Sequence, residues 1–131
     1  MYNFKIVEEE VLEFWNNNDI YLKAKIKNKG KKKYYYLDGP PYTSGRIHLG
    51  HAWGKGLRDS IMRFKRMNGF DVWDRAGFDM HGLPTEHAVE EKLGIKDKRE
   101  IEDFGVLNYI KECEKLSKEN MKNMIQDFKR L

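Results

Sequence analysis

The sequence holds a single cysteine, Cys113, in 131 residues. That excludes an internal disulfide, leaves no cysteine cluster for structural zinc, and agrees with a reducing compartment. It has no apolar run near the roughly 18 residues a membrane span requires. The stretch from Met1 to Lys5, followed by the acidic Glu8-Glu9-Glu10, supplies neither the apolar core of a secretory signal nor the Arg- and Ser-rich character of a transit peptide. A cytoplasmic chain without a membrane partner is the expectation. Neither sign of charge dominates: 25 Lys and Arg against 21 Asp and Glu give +4, a mild excess that suits a polyanionic partner without demanding one. There is no internal repeat and, beyond one lysine run, no low-complexity segment.

What is present reads as one α/β domain. Val7, Val11, Phe14 and Trp15 fall on one helical face, and Asn16-Asn17-Asn18-Asp19 ends that helix. Seven lysines between Lys23 and Lys33 surround Gly30 and read as a solvated connector, a loop able to face phosphate. Tyr34–Leu37 predicts a short buried strand, and Asp38–Gly45 a loop. Leu49, Trp53, Leu57, Ile61, Met62 and Phe64 recur at helical spacing from His48 to Met67, and Gly69 is placed to cap that helix. Phe70–Trp73 predicts a second strand, so strand, helix and strand follow one another as in a βαβ unit with parallel strands. Pro84 opens a helix to Leu93, and Lys98–Phe104 and Val106–Leu131 add two more. In the last, Val106, Tyr109, Ile110, Cys113, Leu116, Met121, Met124, Ile125 and Phe128 form an apolar stripe, predicting a partner along most of its length. The chain reaches Lys129-Arg130-Leu131 without a cap or turn residue, which predicts a truncated piece of a longer fold.

The chemistry concentrates between the first strand and the long helix. His48 and His51 stand three apart at the predicted helix start and so share one face. A helix N-terminus offers unpaired backbone N–H groups and a positive dipole end. Two imidazoles added there make a site for charge developing on a phosphoryl group, Gly50 admits a bulky group close to the backbone, and Pro40 and Pro41 stiffen the rim. Residue by residue, other readings stay open. One histidine could cap the helix while the other packs under the loop, and Asp79 could be a turn or N-cap aspartate. A metal site built from His48, His51, His81 and Asp79 lacks any recognised ligand spacing, so no bound metal is expected. Gly54-x-Gly56 lies inside the helix and is not a dinucleotide fingerprint.

Read whole, Pro40-Pro41-Tyr42-Thr43-Ser44-Gly45-Arg46-Ile47-His48-Leu49-Gly50-His51 resembles the first signature of the class I aminoacyl-tRNA synthetases. Ala76-Gly77-Phe78-Asp79-Met80-His81-Gly82-Leu83-Pro84-Thr85-Glu86 and Leu93–Glu102 resemble the blocks that follow in the isoleucyl branch, so the likeness spans nearly the whole chain. The resemblance implies the first half of a Rossmann-type catalytic domain, with parallel strands and flanking helices, over residues 1–131. Residues 1–33 would form a helical segment and basic connector, and the editing and anticodon-binding domains would be absent from this stretch. It implies activation of isoleucine by ATP, with Mg2+ accompanying the nucleotide, and transfer of the aminoacyl group to tRNA(Ile). His48 and His51 would be catalytic, and Pro41, Tyr42, Thr43, His48, Gly50 and His51 would bind ATP. Gly39, Pro40, Asp79 and His81 would line the amino-acid site, Asp79 facing the substrate ammonium and His81 in support. The remainder of the catalytic domain would be a partner, because the mobile Lys-Met-Ser-Lys-Ser loop lies there. Lys115-Leu116-Ser117-Lys118-Glu119 only imitates that loop, since Leu116 belongs to the apolar stripe. Phe78 stands where the family often has Trp. A leucyl- or valyl-type piece, and a small ATP- or tRNA-binding module without catalysis, are the alternatives.

Overall fold

A computed structural model describes residues 3–131; Met1 and Tyr2, with which the reading of the N-terminus began, lie outside it. The described residues contain six helices and two strands. They divide into two compact units, one comprising the chain up to Tyr36 together with Arg58–Asp74, the other Leu37–Leu57 together with Arg75–Leu131.

In the first unit, helix α1 (Phe4–Asn17) starts at Asn3, whose side-chain oxygen accepts from the Lys5 amide and so satisfies one of the free first-turn donors. Helix α2 (Ile20–Lys27) corrects the reading of the lysine run as a loop. Lys23, Lys25 and Lys27 lie on this helix, and only the turn from Asn28 to Lys32 connects it to the next strand. Lysine is a good helix former, so charge density alone did not make a loop. Strands β1 (Lys33–Tyr35) and β2 (Asp71–Trp73) pair in parallel, Tyr34 opposite Val72. The sheet is the expected parallel pair, but β1 begins and ends earlier than predicted: Leu37 lies beyond it and is 98% exposed. Nor is β1 buried; Tyr34 is half-buried, while Val72 of β2 is in the core with Met62. Just past β2, the Asp74 carboxylate accepts from Arg66 at 2.6 Å and from the Tyr21 hydroxyl at 2.8 Å, with Lys25 at 3.5 Å.

Helix α3 (Leu49–Met67) starts in the second unit and ends in the first. Gly69 closes it as expected, at φ +85°, with its amide donating to the Arg66 carbonyl, a conformation glycine adopts without steric cost. In the second unit, α4 (Leu83–Leu93) carries its proline in the first turn, and Asp97 caps α5 (Lys98–Phe104) by accepting from the Arg99 amide. Both helices pack on α6 (Val106–Arg130). The α6 stripe holds at Tyr109 and Met124, both buried, with Cys113, Leu116, Met121, Ile125 and Phe128 half-buried. Val106 and Ile110 are instead more than half exposed.

Candidate functional site

The proline loop is fixed by backbone pairing. Asp79 donates its amide to the Pro41 carbonyl at 2.9 Å and accepts from the Thr43 amide at 3.0 Å, an isolated parallel bridge centred on Tyr42. Thr43 is fully buried, and its carbonyl accepts from the Asn120 side chain of α6 at 2.9 Å. Farther along the loop, Arg46 reaches Asp127 of α6 through two N–H donors, one at 2.7 Å. The loop that precedes α3 is thereby pinned to α6 at two points.

At the end of that loop the two histidines form a reciprocal cap. The His48 carbonyl accepts from Ala52, the first intrahelical bond of α3, which makes His48 the N-cap residue and His51 the third residue of the helix. The Gly50 amide donates to Nδ1 of His48 at 3.1 Å, and the His48 amide donates to Nδ1 of His51 at 3.3 Å. This is a capping box written with imidazoles in place of the usual hydroxyl and carboxylate. The rings lie 3.9 Å apart at 34°, and the edge-on ring of Phe128, 6.5 Å away, stands beside His51. A Cβ at position 50 would lie 2.9 Å from Cε1 of His48, so glycine there leaves room for the ring that caps over it. Burial, then the neighbouring His48 and Lys55, hold the His51 imidazole below the usual histidine range.

Alongside runs an open cleft of about 310 Å³ lined by Asp38, Gly39, Pro40, Pro41, Tyr42, Gly50, His51, Gly54 and Lys55, at the lower end of the size range of ligand pockets. Six of these are residues singled out from the sequence. Thr43, His48, Asp79 and His81 are not in the lining. Thr43 is buried behind it, His48 stacks on His51, and Asp79 accepts from the amide of the exposed His81 at 3.3 Å in a local turn. Asp79 thus uses its side chain as a turn aspartate and its backbone to hold the proline loop. Lys55 and Asp38, joined in an ion pair across the cleft, were missed. The signal for Lys55 was its place four residues after His51 on the same helix face. A wider hollow of about 440 Å³ runs along one face of α6 among Lys111, Glu114, Lys115, Lys118, Glu119 and Lys122, where Lys118 pairs with Glu114 one turn away. Ser117 of the imitation signature is buried, its hydroxyl donating to the Met80 carbonyl at 3.2 Å, and so belongs to packing.

Comparison with known proteins follows the same residues. A family model described as tRNA synthetases class I (I, L, M and V) matches residues 10–131. Isoleucine--tRNA ligase of Pyrococcus abyssi is 52% identical over 131 residues, covering 99% of this chain and 12% of the relative. The protein of that name from Archaeoglobus fulgidus is 52% identical over 130 residues, covering 99% and 13%. The one from Methanocaldococcus jannaschii is 48% identical over 130 residues, covering 98% and 12%. The chain therefore spans about an eighth of the length of these relatives.

Proposed function

The chain belongs to the class I tRNA synthetases, and from that membership we propose that it carries the nucleotide- and amino-acid-binding first half of a Rossmann-type domain that activates isoleucine for tRNA(Ile). The observation that carries this reading is the cleft beside the capped start of α3, where Gly39, Pro40, Pro41, Tyr42, Gly50 and His51 converge. The names of relatives about half identical over nearly the whole chain favour isoleucine over the leucyl and valyl alternatives.

In this reading an isoleucine carboxylate oxygen attacks the α-phosphorus of ATP, the bond to the bridging oxygen breaks, and pyrophosphate leaves. The aminoacyl group then passes to a ribose hydroxyl of tRNA and AMP departs. The positive end of α3 favours the phosphate. His48 and His51 donate to the oxygens where charge develops, and Pro41 and Tyr42 wall the nucleotide side, with Thr43 buried behind them as support. Gly39 and Pro40 shape the amino-acid side, with Asp79 facing the ammonium and His81 in support. One Asp79 oxygen accepts from the His81 amide in the turn; in this reading the other receives the ammonium. Mg2+ enters with ATP as part of the substrate; among the described residues no group of three His, Cys, Asp or Glu side chains is placed to hold a metal ion. No described helix is long and apolar enough to cross a membrane.

The test is amino-acid-dependent exchange of pyrophosphate into ATP by the 131-residue chain, with isoleucine, valine and leucine in parallel and His51→Ala as control. Exchange that is greatest with isoleucine and lost in the control is the expected result. ATP binding without exchange would assign the chain to nucleotide binding alone, with chemistry requiring the rest of the catalytic domain. No ATP binding at all would overturn the reading.

A further inference from the structure

We propose that His48 and His51 work as neutral imidazoles, both held with Nδ1 as acceptor and Nε2–H as the outward donor, and that Lys55 is the positioning residue that maintains this state. The first half of the argument needs only the backbone. An amide N–H can donate but not accept, so the Gly50 amide at 3.1 Å from His48 Nδ1 and the His48 amide at 3.3 Å from His51 Nδ1 require both Nδ1 atoms to carry lone pairs. The proton of each neutral ring then resides on Nε2, which points away from the helix turn. Protonating either ring at Nδ1 would break its cap, and protonating both would set two cations with ring centres 3.9 Å apart. The pair is therefore bistable in a simple sense: capped and neutral, or charged and uncapped.

The second half concerns what surrounds His51. On its own helix it faces Lys55, one turn along, and His48. From the loop comes Asp38, whose carboxylate is bound to the Lys55 ammonium. From α6 comes the uncharged edge of Phe128, while the neighbouring Asp127 is committed to Arg46. Each of these carboxylates already has a cation of its own, Asp38 the Lys55 ammonium and Asp127 the Arg46 guanidinium, and the Lys55 charge opposes one on His51. Lys55 is itself well covered, its side chain 20% accessible, and is fixed by Asp38 on the cleft wall. The two residues thus set the charge felt by His51 as well as the separation of the proline loop and α3. That an anionic phosphate is what the two Nε2–H groups serve rests on the function proposed above; the tautomer and the role of Lys55 do not.

The experiment is imidazole 15N NMR of the 131-residue chain labelled at histidine, followed through pH, with His48→Gln and His51→Gln assigning the signals. The expected result is the Nε2–H tautomer at both rings. Lys55→Gln should raise the His51 titration midpoint, Asp38→Asn should lower it, and Lys55→Arg should leave it near the wild-type value. A clasp that served structure alone would be broken equally by the first two and would shift the midpoint the same way in both. An Nδ1–H signal at either ring, or shifts of the same sign, overturns the proposal. Should Lys55→Gln fail to fold, the wild-type tautomers and the Asp38→Asn shift still decide it. Adding ATP separates the two claims: correct tautomers and opposite shifts, with neither imidazole responding to ATP, would uphold the cap while refuting the nucleotide reading.

Discussion

The amide of Gly50 donates to Nδ1 of His48 at 3.1 Å, and a methyl group on the same residue would stand 2.9 Å from that ring. The residue that makes the cap is also the one that cannot carry a side chain beneath it. Gly50→Ala should push the His48 ring off the helix start and lose a hydrogen bond worth about 1 kcal/mol. Calorimetric titration should then show ATP affinity lower by about fivefold or more. Gly56→Ala, on the same helix with open space around it, should leave affinity unchanged and make α3 slightly more stable through better helix propensity. Equal losses from both would refute a local role for Gly50.

The Asp74 carboxylate, its side chain 6% accessible, meets Arg66, whose side chain is 15% accessible. Asp74→Asn would leave that guanidinium half-buried without its counter-charge, and the loss of a buried partner costs about 3 kcal/mol. Urea unfolding should show this as a lower midpoint with unchanged slope. The same substitution has a spectroscopic signature. Partial burial and the hydrogen bond to Asp74 push the Tyr21 hydroxyl from 10.0 up to about 12. A raised folded value favours the neutral phenol, so the stability it contributes is present below pH 10 and is lost as pH climbs through about 12. In Asp74→Asn the phenolate absorbance of Tyr21 should emerge at lower pH than in the wild type.

The Arg46–Asp127 link predicts the opposite pH dependence. The Arg46 guanidinium holds the Asp127 carboxyl below the usual carboxylate range. A depressed folded value means that its contribution is present above the ordinary carboxylate pKa and is lost as pH falls through the folded one. The thermal midpoints of the wild type and Asp127→Asn should differ at neutral pH and converge in acid, below about pH 4. Convergence on the alkaline side instead would show that the pair is not what joins the loop to α6.

The long helices, the cap at Gly69, and the parallel pairing of β1 with β2 were legible because period and punctuation are local signals. The lysine run misled because a charged stretch says where water is, not whether the backbone is helical, and Lys23, Lys25 and Lys27 are on α2. The spacing of His48 and His51 announced a shared face, yet their mutual cap depends on where two amide hydrogens point, which spacing does not specify. Lys55 and Asp38 stayed hidden because their pairing joins positions 17 residues apart across a loop. Asp79 was read from its side chain, while the structure uses its backbone as well, to fix Pro41 and Thr43.

Asn120 offers the sharpest test of how α6 supports the site. Its side-chain amide donates to the carbonyl of the buried Thr43 at 2.9 Å, and Thr43 is joined through its own amide to Asp79. Asn120→Ala removes the donor and, inside α6, raises helix propensity, so the loss falls on a Thr43 carbonyl left without that partner, at a cost of about 1–2 kcal/mol. Since Thr43 lies behind the cleft rather than in its lining, the effect should divide unevenly: a measurable fall in thermal midpoint, faster hydrogen exchange at the Thr43 amide, and a modest weakening of ATP binding. Ser117→Ala, one turn earlier on the same helix, removes only a hydroxyl bonded to the Met80 carbonyl and should lower stability by a similar amount without touching nucleotide affinity. If Ser117→Ala instead abolished ATP binding while stability held, the stretch around it would have to be reassigned from packing to the site itself.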